Sequence, residues 1–195
     1  MLKYSCEADM SEHVKRIAAP FSDETARSLQ AGDRVLISGV IIAARDAAHK
    51  RLVETLDKGE KLPVDLRGAV VYYVGPSPAK PGQAIGSAGP TTSGRMDAYT
   101  PRLIQEGLKG MIGKGDRKPA VVEAIKQYGV PYLAAVGGAG ALIAKSVKKY
   151  TVLAYEELGP EAVAAMEVVD FPAIVVMDCE GNDYYTQGQA PYREL

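Results

Sequence analysis

The sequence predicts an α/β fold, a central sheet with flanking helices, from three observations. Branched apolar runs of strand length alternate with amphipathic stretches from about residue 34 to residue 152. Glycine and proline mark the junctions between them. The 195 residues, 47% hydrophobic and 24% charged, supply enough apolar volume for one sizeable core. A single domain over residues 1–195 is therefore expected, with a strand-rich tail from Thr151 onward.

The elements follow in order. "APFSDETARSLQAGD" (19–33) predicts a short helix that Ser22 or Asp23 caps, with Gly32 just past its end. "RVLISGVIIAA" (34–44) is a buried strand by its branched residues. "RDAAHKRLVETLDKGE" (45–60) is helical, because Ala48, Leu52 and Leu56 recur four apart beside Val53 and form one apolar stripe. "GAVVYYVGP" (68–76) is a second strand. The Gly-, Pro- and Ser-rich stretch 77–95 is the longest loop, and long loops in compact domains are commonly functional. "MDAYTPRLIQEGL" (96–108) predicts a helix broken near Pro101. "KGMIGKGD" (109–116) is a short strand that ends in a loop. "RKPAVVEAIKQYG" (117–129) is a helix with Gly129 as C-cap. Residues 130–147 read as strand, glycine turn and helix. Residues 148–158 and 171–185 read as strands, the second turning a hairpin at Glu180, Gly181 and Asn182.

Composition narrows the function. A net charge of −1 does not indicate a nucleic-acid surface. The two cysteines, Cys6 and Cys179, make no disulfide framework or zinc pattern and are expected as free thiols in a reducing cytosol. The first residues lack an apolar signal core, and no apolar run reaches membrane-spanning length, so a cytoplasmic protein is expected.

Three segments pair a cation with small residues beside a strand end or helix start: "AARDAAHKR" (43–51), "GPTTSGRMD" (89–97) and "GKGDRK" (113–118). Open α/β sheets collect ligands at the carboxyl ends of their strands, beside helix N-termini. If Arg45, Arg95 and Lys114 converge there, they form a site for an anion bearing more than one carboxylate or phosphate. The bland alternative for each is a solvated or salt-bridged side chain. For Arg45, the positive end of the helix dipole disfavours a cation, and Asp46 is a ready partner. Arg95 follows Gly94 and the hydroxyls of Thr91, Thr92 and Ser93, which suits an anion. Lys114 between two glycines also reads as a plain exposed turn. His49 lies one helical turn from Arg45 and can orient it or touch ligand, or be simply structural. "VGGAGALIA" (136–144) fits a dinucleotide fingerprint only in part, since Ile143 takes the third glycine position. "GMIGKGD" (110–116) is not a phosphate loop, because Gly115 stands where Ser or Thr is required.

Six pieces carry a resemblance: "SGVIIAARDAAHKRL", "YYVGP", "SAGPTTSGRMDAYTP", "MIGKGD", "YLAAVGGAGAL" and the tail "YEELGPEAVAAMEVVDFPAIVVMDCEGNDYY". In order, over 38–185, they resemble the C-terminal domain or β subunit of the class I iron–sulfur fumarase and tartrate dehydratase family. The resemblance implies a swivelling β/β/α domain and reversible anti addition of water across a dicarboxylate double bond, as in fumarate to (S)-malate. It implies a [4Fe-4S] cluster with one iron open to substrate, held by three cysteines of another region. Two thiols cannot supply that ligation, so the cluster is expected on a separate α subunit in a hetero-oligomer. It implies that Arg45, Arg95 and Lys114 bind the substrate carboxylates and that Thr91 is the catalytic base; His49 and Thr92 stand beside them as candidates for a supporting role. "SGRMD" (93–97) is closer to the fumarase branch, so fumarate is the first expectation and L(+)-tartrate the second. From another class, a stand-alone anion- or nucleotide-binding module remains the rival reading.

Overall fold

Period-two burial builds the sheet. Val70, Tyr72 and Val74 turn into one core, while Val71 and Tyr73 turn into another. Ile112 and Leu133 join the first core, and Met111 and Tyr132 the second. Strands buried on both faces read as continuous apolar runs, which is how they stand in the sequence.

The computed structural model describes residues 14–193. Its strands are β1 (Val14–Ala19), β2 (Arg34–Ala43), β3 (Val70–Tyr72), β4 (Gly110–Gly113), β5 (Tyr132–Ala134), β6 (Val147–Ala154) and β7 (Val163–Met177). β2, β3, β4 and β5 lie side by side and parallel. β7 pairs antiparallel with β5, and also with β2 from Arg34↔Ile174 to Ala43↔Ala164. The ring β2–β3–β4–β5–β7 therefore closes on itself. β1 runs parallel to the first part of β2, and β6 antiparallel to the first part of β7. The inner core, with Ile37, Ile41, Tyr72, Phe171 and Val175, fills the ring. Helices α2 (Asp46–Asp57), α3 (Thr100–Gln105) and α4 (Pro119–Tyr128) bury Leu52, Leu103 and Ile125 in the outer core against the ring. The architecture is the mixed α/β of a swivelling β/β/α domain, a central sheet with flanking helices.

Most elements stand where the sequence puts them, and the departures have physical causes. α1 (Asp23–Ser28) is capped by Ser22, whose Oγ accepts the Thr25 N–H at 3.0 Å. It ends at Ser28, and Gly32 occupies a later turn rather than the helix end. The strand expected over 68–76 is only Val70–Tyr72, because its neighbours pair with it over few positions. The helix expected over 96–108 is shorter: a 3₁₀ turn, Ser93–Met96, precedes it, and α3 begins at Thr100, where Pro101 opens rather than breaks it. Gly129, at φ 63°, ends α4 as expected. The turn after Met177 is held by Asp178, whose Oδ1 accepts the N–H groups of Glu180 and Asn182 at 3.0 Å each. Only Asp183 bridges back to Met177 before the chain coils into a last short α-helix (Tyr184–Gln187), so no hairpin strand returns.

β1 has no counterpart in the sequence reading, and the first half of β7 is foreseen only as part of the strand-rich tail. β1, VKRIAA, is largely exposed and charged, as edge strands are. The first half of β7, VAAMEVVD, is rich in helix formers and becomes a strand because β2 and β6 bond it from both sides. Cys6 and His13 lie outside the described residues.

Candidate active site

The carboxyl ends of β2, β3, β4 and β5 deliver the candidate segments to one rim of the ring. Arg45 follows β2, the 89–97 turn returns beside the end of β3, Lys114 follows β4, and Gly137 follows β5.

Arg45 is the N-cap residue of α2 but caps nothing with its side chain. Its Nε donates to Asp46 Oδ2 at 2.9 Å, and its Nη2 stands 3.3 Å from Glu161 Oε1. The other oxygen of Glu161 accepts the Ala47 N–H at 2.8 Å, so a carboxylate from the segment before β7 caps this helix. The Arg45 chain lies along Gly75, where a Cβ would come within 3.1 Å of its Cδ and Nη1. Arg95, on the 3₁₀ turn and half exposed, brings its Nε to 2.7 Å from Asp46 Oδ1. One carboxylate thus holds both guanidinium groups. Burial raises the Asp46 pKa, but the hydrogen bond from Arg45, its own backbone N–H and the charges of Arg95 and Arg45 outweigh burial and leave it below the usual carboxylate range.

His49 is fully buried and packs edge-on against Tyr73, with ring centroids 5.2 Å apart. Burial, with the Arg117 charge, pushes its pKa down to about 4, against the bond to the Arg45 carbonyl. The neutral ring therefore gives its Nδ1 proton to the Arg45 carbonyl at 3.0 Å, and Nε2 is left without a partner among the described residues. His49 supports the start of α2 from behind.

The hydroxyl turn is anchored by its backbone. The Thr91 N–H donates to the Tyr73 carbonyl at 2.7 Å, and Thr91 is nearly buried. Thr92 is exposed and bridges to Lys114 in parallel register. The Ser93 N–H donates to the Lys114 carbonyl at 2.8 Å, and Ser93 Oγ accepts the Lys114 N–H at 3.0 Å. Tyr132 gives its hydroxyl proton to the Gly115 carbonyl at 2.8 Å, so the Ser93 hydroxyl donates to Tyr132, also at 2.8 Å. Gly113 is required here, since a Cβ would sit 2.0 Å from Ser93 Oγ.

Beneath the turn lies a buried ion pair. Arg117 Nε stands 2.8 Å from Asp97 Oδ1, with both side chains out of solvent. The two atoms are too poorly aligned to share a hydrogen bond, so the attraction is between charges. Arg117 also donates to Tyr73 Oη at 3.1 Å and Thr100 Oγ1 at 2.9 Å, and lies over the rings of Tyr73 and Tyr132. Asp97 Oδ2 accepts the Lys118 N–H at 2.7 Å. Arg117, one of the cations of "GKGDRK", is therefore committed to the scaffold and does not face ligand.

Lys114 is exposed, leans toward Gly137, and forms no ion pair among the described residues. It edges a hollow of about 430 Å³ lined by Ala135, Val136, Ile174 and Tyr185. Arg45, Arg95 and Thr91 are not in its walls, and none of the principal hollows takes in all four residues. The fold joins Arg45 to Arg95 through Asp46 and places Thr91, Thr92 and Lys114 on adjoining strand ends. Sequence reasoning missed Glu161, which carries no local signal, and the scaffold role of Ser93, Asp97 and Arg117, although all three lie within the motifs it selected.

An iron–sulfur cluster does not fit the described residues. Cys179 is their only cysteine. It is buried, its thiol points at the Ala26 carbonyl at 3.3 Å, and burial pushes its pKa up to about 11. No group of three His, Cys, Asp or Glu side chains among them is placed to hold a metal. No helix among them is long and apolar enough to cross a membrane.

The family model described as "Fumarase C-terminus" matches residues 3–188. The chain belongs to that family. Fumarase C-terminus relatives include fumarate hydratase 2 of Leishmania major, 45% identical over 80% of this chain and 28% of its own length. The aerobic class I fumarate hydratase of Escherichia coli K12 is 40% identical over 93% of this chain and 32% of its own. The chain therefore spans about a third or less of those relatives. The "Putative L(+)-tartrate dehydratase subunit beta" of Methanocaldococcus jannaschii is 42% identical over 83% of this chain and 86% of its own length.

Proposed function

We propose that this chain is the β subunit of a two-subunit iron–sulfur hydro-lyase that interconverts fumarate and (S)-malate. The observation that carries this reading is the shared grip of Asp46 on Arg45 and Arg95 at the rim where parallel strands end. Arg45, Arg95 and Lys114 receive the substrate carboxylates. Removing a proton beside a carboxylate spreads negative charge onto it, and preorganised cations favour that change. Thr91 takes or relays the proton. A free hydroxyl is a weak base, so this role depends on neighbouring cations stabilising its deprotonated form. The [4Fe-4S] cluster belongs to a partner α subunit, in keeping with the poor fit of this chain's own residues.

The relative whose length this chain nearly matches is named as a tartrate dehydratase subunit, which supports a separate β subunit and makes L(+)-tartrate the second substrate reading. One glycine of the nucleotide-module reading has a packing role. A Cβ on Gly140 would sit 2.4 Å from Ser87 Oγ and 2.7 Å from the Gly89 N, so close packing accounts for that glycine.

The test is anaerobic reconstitution with the cluster-bearing partner, followed by assays of fumarate, (S)-malate and L(+)-tartrate. The chain alone is expected to be inactive. In the assembled enzyme, Arg95→Ala should lower kcat/KM by roughly 100-fold or more. Wild-type activity in that variant would remove Arg95 from the site, and turnover by the isolated chain without iron would refute the division between subunits.

A further inference from the structure

We infer that Asp46 is a positioning residue for this reaction: anchored on Arg45, its carboxylate fixes the orientation in which Arg95 meets a substrate carboxylate. The inference rests on the hydro-lyase reading above. Arg45 and Arg95 lie on segments far apart in sequence, and among the described residues Asp46 is the carboxylate that pairs with both, at 2.9 and 2.7 Å.

The two arginines are not equally secured. Arg45 is held on three sides, by Asp46, by Glu161 at 3.3 Å and by contact with Gly75. Arg95 is 52% exposed, and Asp46 is its only ion-pair partner among the described residues. Orientation matters here more than net charge. Two guanidinium groups face two carboxylates, Asp46 and Glu161, so the cluster is locally balanced. Its affinity for an incoming carboxylate then comes from aimed N–H groups, with Lys114 supplying the uncompensated charge. A long side chain that must be ordered on binding weakens that grip, and pre-ordering restores it.

Asp46→Asn separates the roles. The amide keeps the shape and one acceptor oxygen, which Arg45 Nε can use, but it presents N–H groups to Arg95. Side-chain ¹⁵N relaxation on the full chain should show Arg95 Nε ordered in the wild type. In Asp46→Asn it should be as mobile as a free surface arginine, while Arg45 stays ordered. In the enzyme assembled with its cluster-bearing partner, the variant should raise the KM for fumarate roughly tenfold, with a smaller change in kcat. A merely structural role would lower the active fraction, and so kcat, at constant KM.

Arg95→Ala is the reference arm. If Arg95 stays ordered in Asp46→Asn, the clamp is overturned. If Arg95 loosens but the kinetics match wild type while Arg95→Ala is crippled, positioning is overturned and the site reading stands. If Arg95→Ala also behaves as wild type, the site reading fails and this inference fails with it.

Discussion

Replacing Arg117 with methionine should be among the most damaging single changes in this protein. The guanidinium is buried 2.8 Å from the equally buried carboxylate of Asp97 and bonded to Tyr73 and Thr100. Methionine fills much of the volume but leaves Asp97 as an uncompensated charge out of water. Breaking a buried pair by removing one partner costs about 3–5 kcal/mol. A domain with a total stability of about 5–15 kcal/mol is brought near its limit by such a loss. Urea titration followed by circular dichroism gives the number directly. The double variant Arg117→Met/Asp97→Asn isolates the cause. Asparagine keeps an oxygen for the Lys118 N–H, now bonded at 2.7 Å, and removes the stranded charge. It should recover at least half of the loss. A single-variant cost below about 1 kcal/mol, or no recovery in the double, would refute the charge argument.

Stability should fall in mild acid because of His49. Its pKa lies at about 4 when folded against an ordinary 6.5. Above 6.5 the ring is neutral in both states, and between 6.5 and 4 only the unfolded chain takes up the proton. The contribution is thus complete above 6.5 and lost as pH falls to about 4, roughly 3 kcal/mol across the window. Denaturant titrations of wild type and His49→Asn at intervals through that range test it, and equal slopes would discard the assignment. Gly140→Ala should overpack the contact with Ser87 and Gly89, at a cost of about 1–3 kcal/mol, and displace the backbone leading to Thr91. Thermal melts and amide shifts of residues 87–92 report on it, and an unperturbed Gly89 would count against the packing role.

Much of this molecule was legible in one dimension because the information is local. The runs around Val35, Val71 and Met111 are strands by their own composition, and Ser22 and Gly129 act on the backbone beside them. The cations and hydroxyls of the three selected segments likewise mark candidates for an anion site before any folding is considered. What the folded chain alone decided depends on contacts between segments far apart. VAAMEVVD became a strand because β2 and β6 offered hydrogen bonds on both of its edges, which outweigh its helix-forming residues. Ring closure, too, is a property of β2 meeting β7 and is written in neither strand. The same holds at the site. Arg45, Arg95 and Arg117 look alike in sequence, yet one is clamped by two carboxylates, one is half exposed and one is buried as scaffold. Coulomb energy and desolvation depend on distance and burial, and both are set only when the chain has folded.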